Sequence, residues 1–88
     1  MAKRLVVNTF GELSKVPGIQ EILPKEFEVA GKLKEQGVLE EVYVKDGAKG
    51  AFLVFIETDE EKVKGYIEQL PLHVYFDRVE YTLVDKSF

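Results

Sequence analysis

Hydrophobic and polar positions alternate, cluster and break along this chain in a way that predicts four strands and two helices. Residues 4–10, Arg4-Leu5-Val6-Val7-Asn8-Thr9-Phe10, are rich in β-branched and apolar side chains and read as a first strand ending at Gly11. Ser14, Pro17 and Gly18 then mark a loop. A first helix is expected from about residue 19 or 23 to residue 36, with Pro24 tolerated near its start or at a kink and Gly37 as a left-handed C-cap. Residues 38–45 predict a second strand with Leu39, Glu41 and Tyr43 on one face and Val42 and Val44 on the other. Asp46-Gly47-Ala48-Lys49-Gly50 is turn chemistry that closes a hairpin.

The third strand, Ala51-Phe52-Leu53-Val54-Phe55-Ile56, is apolar at every position. A strand covered on one side should alternate, so this run calls for cover on both faces. Helices supply one layer. In so short a chain a second subunit is the natural source of the other, which predicts a homodimer or larger homo-oligomer paired through the sheet. Thr58-Asp59-Glu60-Glu61 has the spacing of a capping box, and Val63, Tyr66, Ile67 and Leu70 follow at helical intervals until Pro71 stops the helix. A last strand is expected over residues 73–84, with His73, Tyr75, Asp77, Val79, Tyr81 and Leu83 on one face. The order β-α-β-β-α-β describes one α+β, ferredoxin-like domain over residues 1–88.

Composition narrows the classes of function. The 88 residues hold no cysteine, which removes disulfides, thiolate metal sites and cysteine nucleophiles, and fits a reducing cytoplasm. Sixteen acidic against twelve basic residues leave a net charge of −4 without a basic stripe, so no nucleic-acid partner is expected. The apolar run after Met1-Ala2-Lys3-Arg4 ends at Asn8, short of a signal core or a membrane span. Gly47, Gly50 and Gly65 have no phosphate-loop spacing, and one histidine among scattered carboxylates makes no metal-ligand constellation. Neither metal nor cofactor is expected.

Two positions break the apolar pattern. At about 100° per residue the first helix gathers Ile22, Leu23, Phe27, Val29, Ala30 and Leu33 into one sector, and Glu26 lies inside it. A carboxylate among apolar neighbours has its charged form disfavoured, which moves its pKa toward the range useful for proton transfer. Glu26 is therefore the first candidate catalytic residue. His73, the only histidine, is the second, with Tyr75 and Asp77 next along its expected strand face. Tyr43 and Tyr81 complete the candidate substrate-binding set through their hydroxyls.

The segment Gln69-Leu70-Pro71-Leu72-His73-Val74-Tyr75-Phe76-Asp77, together with Glu26-Phe27-Glu28-Val29-Ala30-Gly31-Lys32-Leu33-Lys34-Glu35-Gln36-Gly37, resembles the muconolactone isomerases. The resemblance implies a dimeric α+β barrel in which two sheets pair. It also implies a pocket between sheet and helices where proton shuttling moves a double bond in an unsaturated lactone. Glu26 corresponds to that family's first-helix glutamate. Phe27 stands where the family has a lysine, His73 where it has an aromatic residue and Val74 where it has a proline. The reading that follows is an isomerase-like enzyme acting on a small lactone or organic acid. The alternatives are a non-catalytic module that binds a small ligand or dimerises, and a cofactor-independent monooxygenase-like enzyme.

Overall fold

A computed structural model describes residues 2–88. Four strands, β1 (Ala2–Phe10), β2 (Leu39–Val44), β3 (Gly50–Phe55) and β4 (Arg78–Lys86), form one antiparallel sheet in the order β2-β3-β1-β4. Helices α1 (Ile19–Glu35) and α2 (Glu60–Glu68) fill the two crossovers. The fold is therefore the expected ferredoxin-like α+β arrangement.

Strand alternation decides what each face of the sheet carries. Leu5 and Val7 of β1 and Ala51, Leu53 and Phe55 of β3 point to the helices and pack with Leu33, Leu39, Val63, Ile67 and Leu70. Phe55 is fully buried and stacks on Tyr66 with ring centroids 6.2 Å apart. Thr9 is the one buried polar residue among the described residues; its hydroxyl accepts from the Ala51 amide at 2.9 Å and donates to the Ala51 carbonyl at 3.2 Å. The next position of β3, opposite Phe10, needs Gly50, whose φ of 121° and whose missing Cβ, which would lie 2.0 Å from the Thr9 carbonyl oxygen, admit no side chain.

The all-apolar third strand is covered on one face only within the chain. Phe52 is exposed and Val54 half-buried on the outer face, beside Val6, Asn8 and Phe10, and Ile56, just past the end of β3, is exposed as well. Charged groups frame that face. Arg4 makes a two-pronged contact with Glu40 at 3.1 and 3.2 Å, Lys86 reaches Glu40 at 3.4 Å, and Lys45 and Arg78 lie over the Phe10 ring at 3.7 and 4.2 Å.

Three local expectations are corrected. Leu39 does not share a face with Glu41 and Tyr43, because the register slips between Leu39 and Glu41; Leu39 opposes Phe55 inside, whereas Glu41 opposes Val54 and Tyr43 opposes Phe52 outside. The second helix is capped by Asp59 rather than Thr58, its Oδ1 accepting from the amides of Glu61 at 3.0 Å and Lys62 at 3.4 Å. The last strand begins at Arg78, since Pro71–Tyr75 forms a 3-10 turn instead. Pro71 starts that turn with its fixed φ, and Leu72 anchors it in the interior.

The end of α1 follows the expectation. The Gly37 amide bonds the Lys34 carbonyl and the Val38 amide bonds the Leu33 carbonyl, with Gly37 at φ 76°, the paired pattern of a Schellman stop. At its other end α1 starts at Ile19 and runs through Pro24, five residues in, at the expense of one backbone hydrogen bond.

Candidate functional site

The described residues form two buried apolar clusters rather than one. Beside the main core, Leu13, Val16 and Leu72 pack with Ile19, Ile22, Leu23, Ala48 and Phe76. Between the clusters lies an open cavity of about 530 Å³, bounded by the first two-thirds of α1, the inner faces of β2 and β3, and the Pro71–Tyr75 turn. Its existence explains an oddity of α1: of the long apolar sector, only Leu33 is fully buried. Leu23 and Ala30 look into the cavity, as do Val42 and Val44 of β2, and Phe27 stands at its mouth with 59% of its surface exposed.

Glu26 is the only ionisable side chain lining this space among the described residues, and Ser14 is the only hydroxyl. One turn of helix before Ala30, Glu26 extends across to the Pro71–Tyr75 turn, and its Oε1 accepts a hydrogen bond from the Leu72 amide at 3.0 Å. That amide is one of the orphan donors at the start of the turn, preceded by a proline that has no N–H. A side chain 46 residues away thus caps the turn. Burial pushes the Glu26 carboxyl above the ordinary range, and the Leu72 N–H opposes this only in part. Its second oxygen, Oε2, has no protein donor among the described residues. An acid–base group with one anchored and one free oxygen, facing an apolar chamber, is equipped to take and return a proton.

The other candidate residues lie elsewhere. His73 sits in the 3-10 turn and lines a separate, shallower depression of about 270 Å³ with Lys64, Ile67, Glu68, Val79 and Tyr81. Glu26 and His73 therefore do not share a cavity, and the face that was to carry His73, Tyr75 and Asp77 together does not exist, because the chain is coiled there rather than extended. Burial raises the Tyr81 hydroxyl, with Lys64 pulling the other way. Tyr75 is exposed on the turn. Asp77 is exposed as well and uses its backbone amide to bond the Phe10 carbonyl at 2.7 Å. Tyr43 is on the outer sheet face, where its hydroxyl donates to the Glu41 carboxylate.

The walls of the cavity are not legible in the sequence. Val42, Val44, Ala48 and Phe76 read as ordinary strand, turn and core residues, and only the gap between two clusters makes them a lining. Among the described residues no group of three or more His, Cys, Asp or Glu side chains is placed to hold a metal ion, and no helix is long and apolar enough to cross a membrane.

No protein-family model matches the chain, and no curated protein matches it. Its fold has counterparts among solved structures. A 5-chloro-2-hydroxyhydroquinone dehydrochlorinase from Burkholderia phenoliruptrix, in complex with 2,5-dihydroxybenzoquinone, superposes with a TM-score of 0.70 at 12% identity, over 96% of this chain and 93% of that one. An antibiotic biosynthesis monooxygenase superposes with a TM-score of 0.56 at 17% identity, over 96% of this chain and 97% of that one. These likenesses extend over nearly the whole of each chain and show a shared ferredoxin-like α+β fold.

Proposed function

We propose that this protein is a small, isomerase-like enzyme that moves a proton within an unsaturated lactone or related ring compound held in the cavity between α1 and the sheet, with Glu26 as the base. The observation that carries this reading is the placement of Glu26: one lone carboxyl, anchored by Leu72, facing a chamber otherwise apolar but for Ser14. In the proposed step Oε2 takes a proton from a ring carbon next to the double bond, the charge spreads onto the carbonyl oxygen, and the same carboxyl returns the proton to the far carbon of the shifted double bond. No atom is gained or lost, so no co-reactant is required. Ser14 is assigned as the donor to the charged oxygen. Kinship with the muconolactone isomerases is proposed at the same level. The dehydrochlorinase and monooxygenase of like fold are compatible with small-molecule chemistry in this chamber.

The test is deuterium incorporation into α-angelica lactone, a β,γ-unsaturated lactone, in heavy water. Wild-type protein is expected to accelerate exchange and double-bond migration, and Glu26→Gln to lose about a hundredfold or more. Equal rates with both proteins, or no acceleration by either, would refute the role.

Pairing of two copies through the outer sheet face belongs to the same proposal. That face combines Phe52 and Val54 with both signs of charge, Arg4, Lys45 and Arg78 against Glu40, Glu41 and Glu80, as a self-complementary two-fold contact requires. Asn8 adds a buried Oδ1 with no hydrogen-bond partner among the described residues. Light scattering is expected to give twice the mass of one chain, and Val54→Glu to return it to one. A wild-type monomer at micromolar concentration would end this part of the proposal.

A further inference from the structure

The chemistry of the cavity wall narrows what can occupy it, on the premise that Glu26 works there as proposed. No Lys, Arg or His lines the cavity among the described residues, and its one charge-bearing group is itself an acid. A carboxylate or phosphate entering this space would give up its hydration, find no counter-charge and face Glu26. A protonated amine would meet one carboxyl already engaged by Leu72, with Phe27 and Phe76 the only rings in the wall among the described residues, far from the aromatic cage that solvates a desolvated cation. Size adds a second limit. The volume of 530 Å³ is more than three times the roughly 150 Å³ of a dry cavity that takes a single benzene ring.

We infer that the ligand is an uncharged, mostly apolar compound of about two to three rings, presenting a single acidic O–H or C–H to the free oxygen of Glu26, and that organic acids are excluded. This selects the neutral ring compound over the organic acid among the substrates the chain was expected to serve. It also assigns Glu26 a role in specificity, since the same carboxyl that bonds the O–H repels an anion.

Calorimetric titration with four two-ring probes near neutral pH tests this: 2-naphthol, naphthalene, 2-naphthoate and 2-naphthylmethylammonium. 2-Naphthol is expected to bind most tightly, by about tenfold or more over 2-naphthoate and over the ammonium compound, with naphthalene between. In Glu26→Gln the affinity for 2-naphthol should fall and that for 2-naphthoate should rise, a crossing that a merely structural glutamate would not produce. Ala30→Phe, which fills the chamber, should abolish 2-naphthol binding, and Ser14→Phe at the rim serves the same purpose if that variant does not fold. Tighter binding of 2-naphthoate or of the ammonium probe, no binding by any probe below millimolar concentration, or unchanged 2-naphthol binding in the filled variant would each overturn the inference. The outcomes separate it from the proposed reaction. Preference for 2-naphthol without lactone exchange leaves the ligand class standing and removes the isomerase; lactone exchange with preference for 2-naphthoate does the reverse.

Discussion

Replacing Glu26 with glutamine should make the protein more stable at alkaline pH while removing the proposed proton transfer. Glutamine keeps the shape and the acceptor that holds the Leu72 amide, so packing and the cap of the 3-10 turn survive. What is lost is the charge-assisted part of one hydrogen bond, about 1 kcal/mol. What is relieved is the penalty of holding a carboxylate in an apolar chamber, and the raised pKa of Glu26 has burial as its larger cause, with the Leu72 bond the smaller opposing one. Water at the open mouth screens part of the charge, so the net gain is held to under about 1 kcal/mol. The pH dependence carries the sign. A carboxyl whose folded pKa lies above its unfolded value stabilises the fold fully below the unfolded value, and that contribution is lost as pH rises through the folded one. Wild type and Glu26→Gln should therefore unfold together at about pH 4 and separate in favour of the variant at about pH 8. Thermal unfolding followed by far-ultraviolet circular dichroism reads the difference as a few degrees, given about 4–8 °C per kcal/mol for a domain of this size. A variant less stable than wild type at alkaline pH would refute the reasoning, because it would mean that hydrogen bonding outweighs burial at this carboxyl.

Further outcomes follow from single contacts. Thr9→Val keeps the shape but leaves the buried Ala51 amide without its acceptor, and should cost about 1–3 kcal/mol in urea unfolding. Asp59→Ala should cost about 1 kcal/mol and Thr58→Ala almost nothing, because Asp59 alone caps α2; the reverse ranking by circular dichroism would restore the capping box. Hydrogen bonding from Arg4, helped by Lys86, holds the Glu40 carboxyl below its ordinary range. Its stabilisation is present above the unfolded-state value and is lost as pH falls through the folded one. The gap in melting temperature between wild type and Glu40→Gln should accordingly close on acidification.

Local pattern carried most of the architecture. Period-two alternation, the Gly37 stop, the Asp46–Ala48 turn and the Pro71 break place the elements in order because each depends on near neighbours in the chain. Errors arose where a competing local option was settled by distant contacts. Leu72-His73-Val74-Tyr75 suits a strand by composition, yet burial of Leu72 and the reach of Glu26 to its amide coil it into a 3-10 turn. That one change took His73 and Tyr75 off the sheet. The slip between Leu39 and Glu41 likewise turned half of β2 over, since a shift of one residue exchanges the faces of everything after it.

What the sequence alone determined is the α+β order, the polar break of Glu26 in the apolar sector of α1, and the surplus hydrophobicity of residues 51–56. Tertiary structure alone decided that the apolar sector of α1 lines an open chamber instead of closing on the core, and that Glu26 meets it without His73. The physical reason is that hydrophobic patterning records which positions avoid water. A core and the wall of an apolar cavity satisfy that demand with the same residues, and only the packing of the two clusters tells them apart.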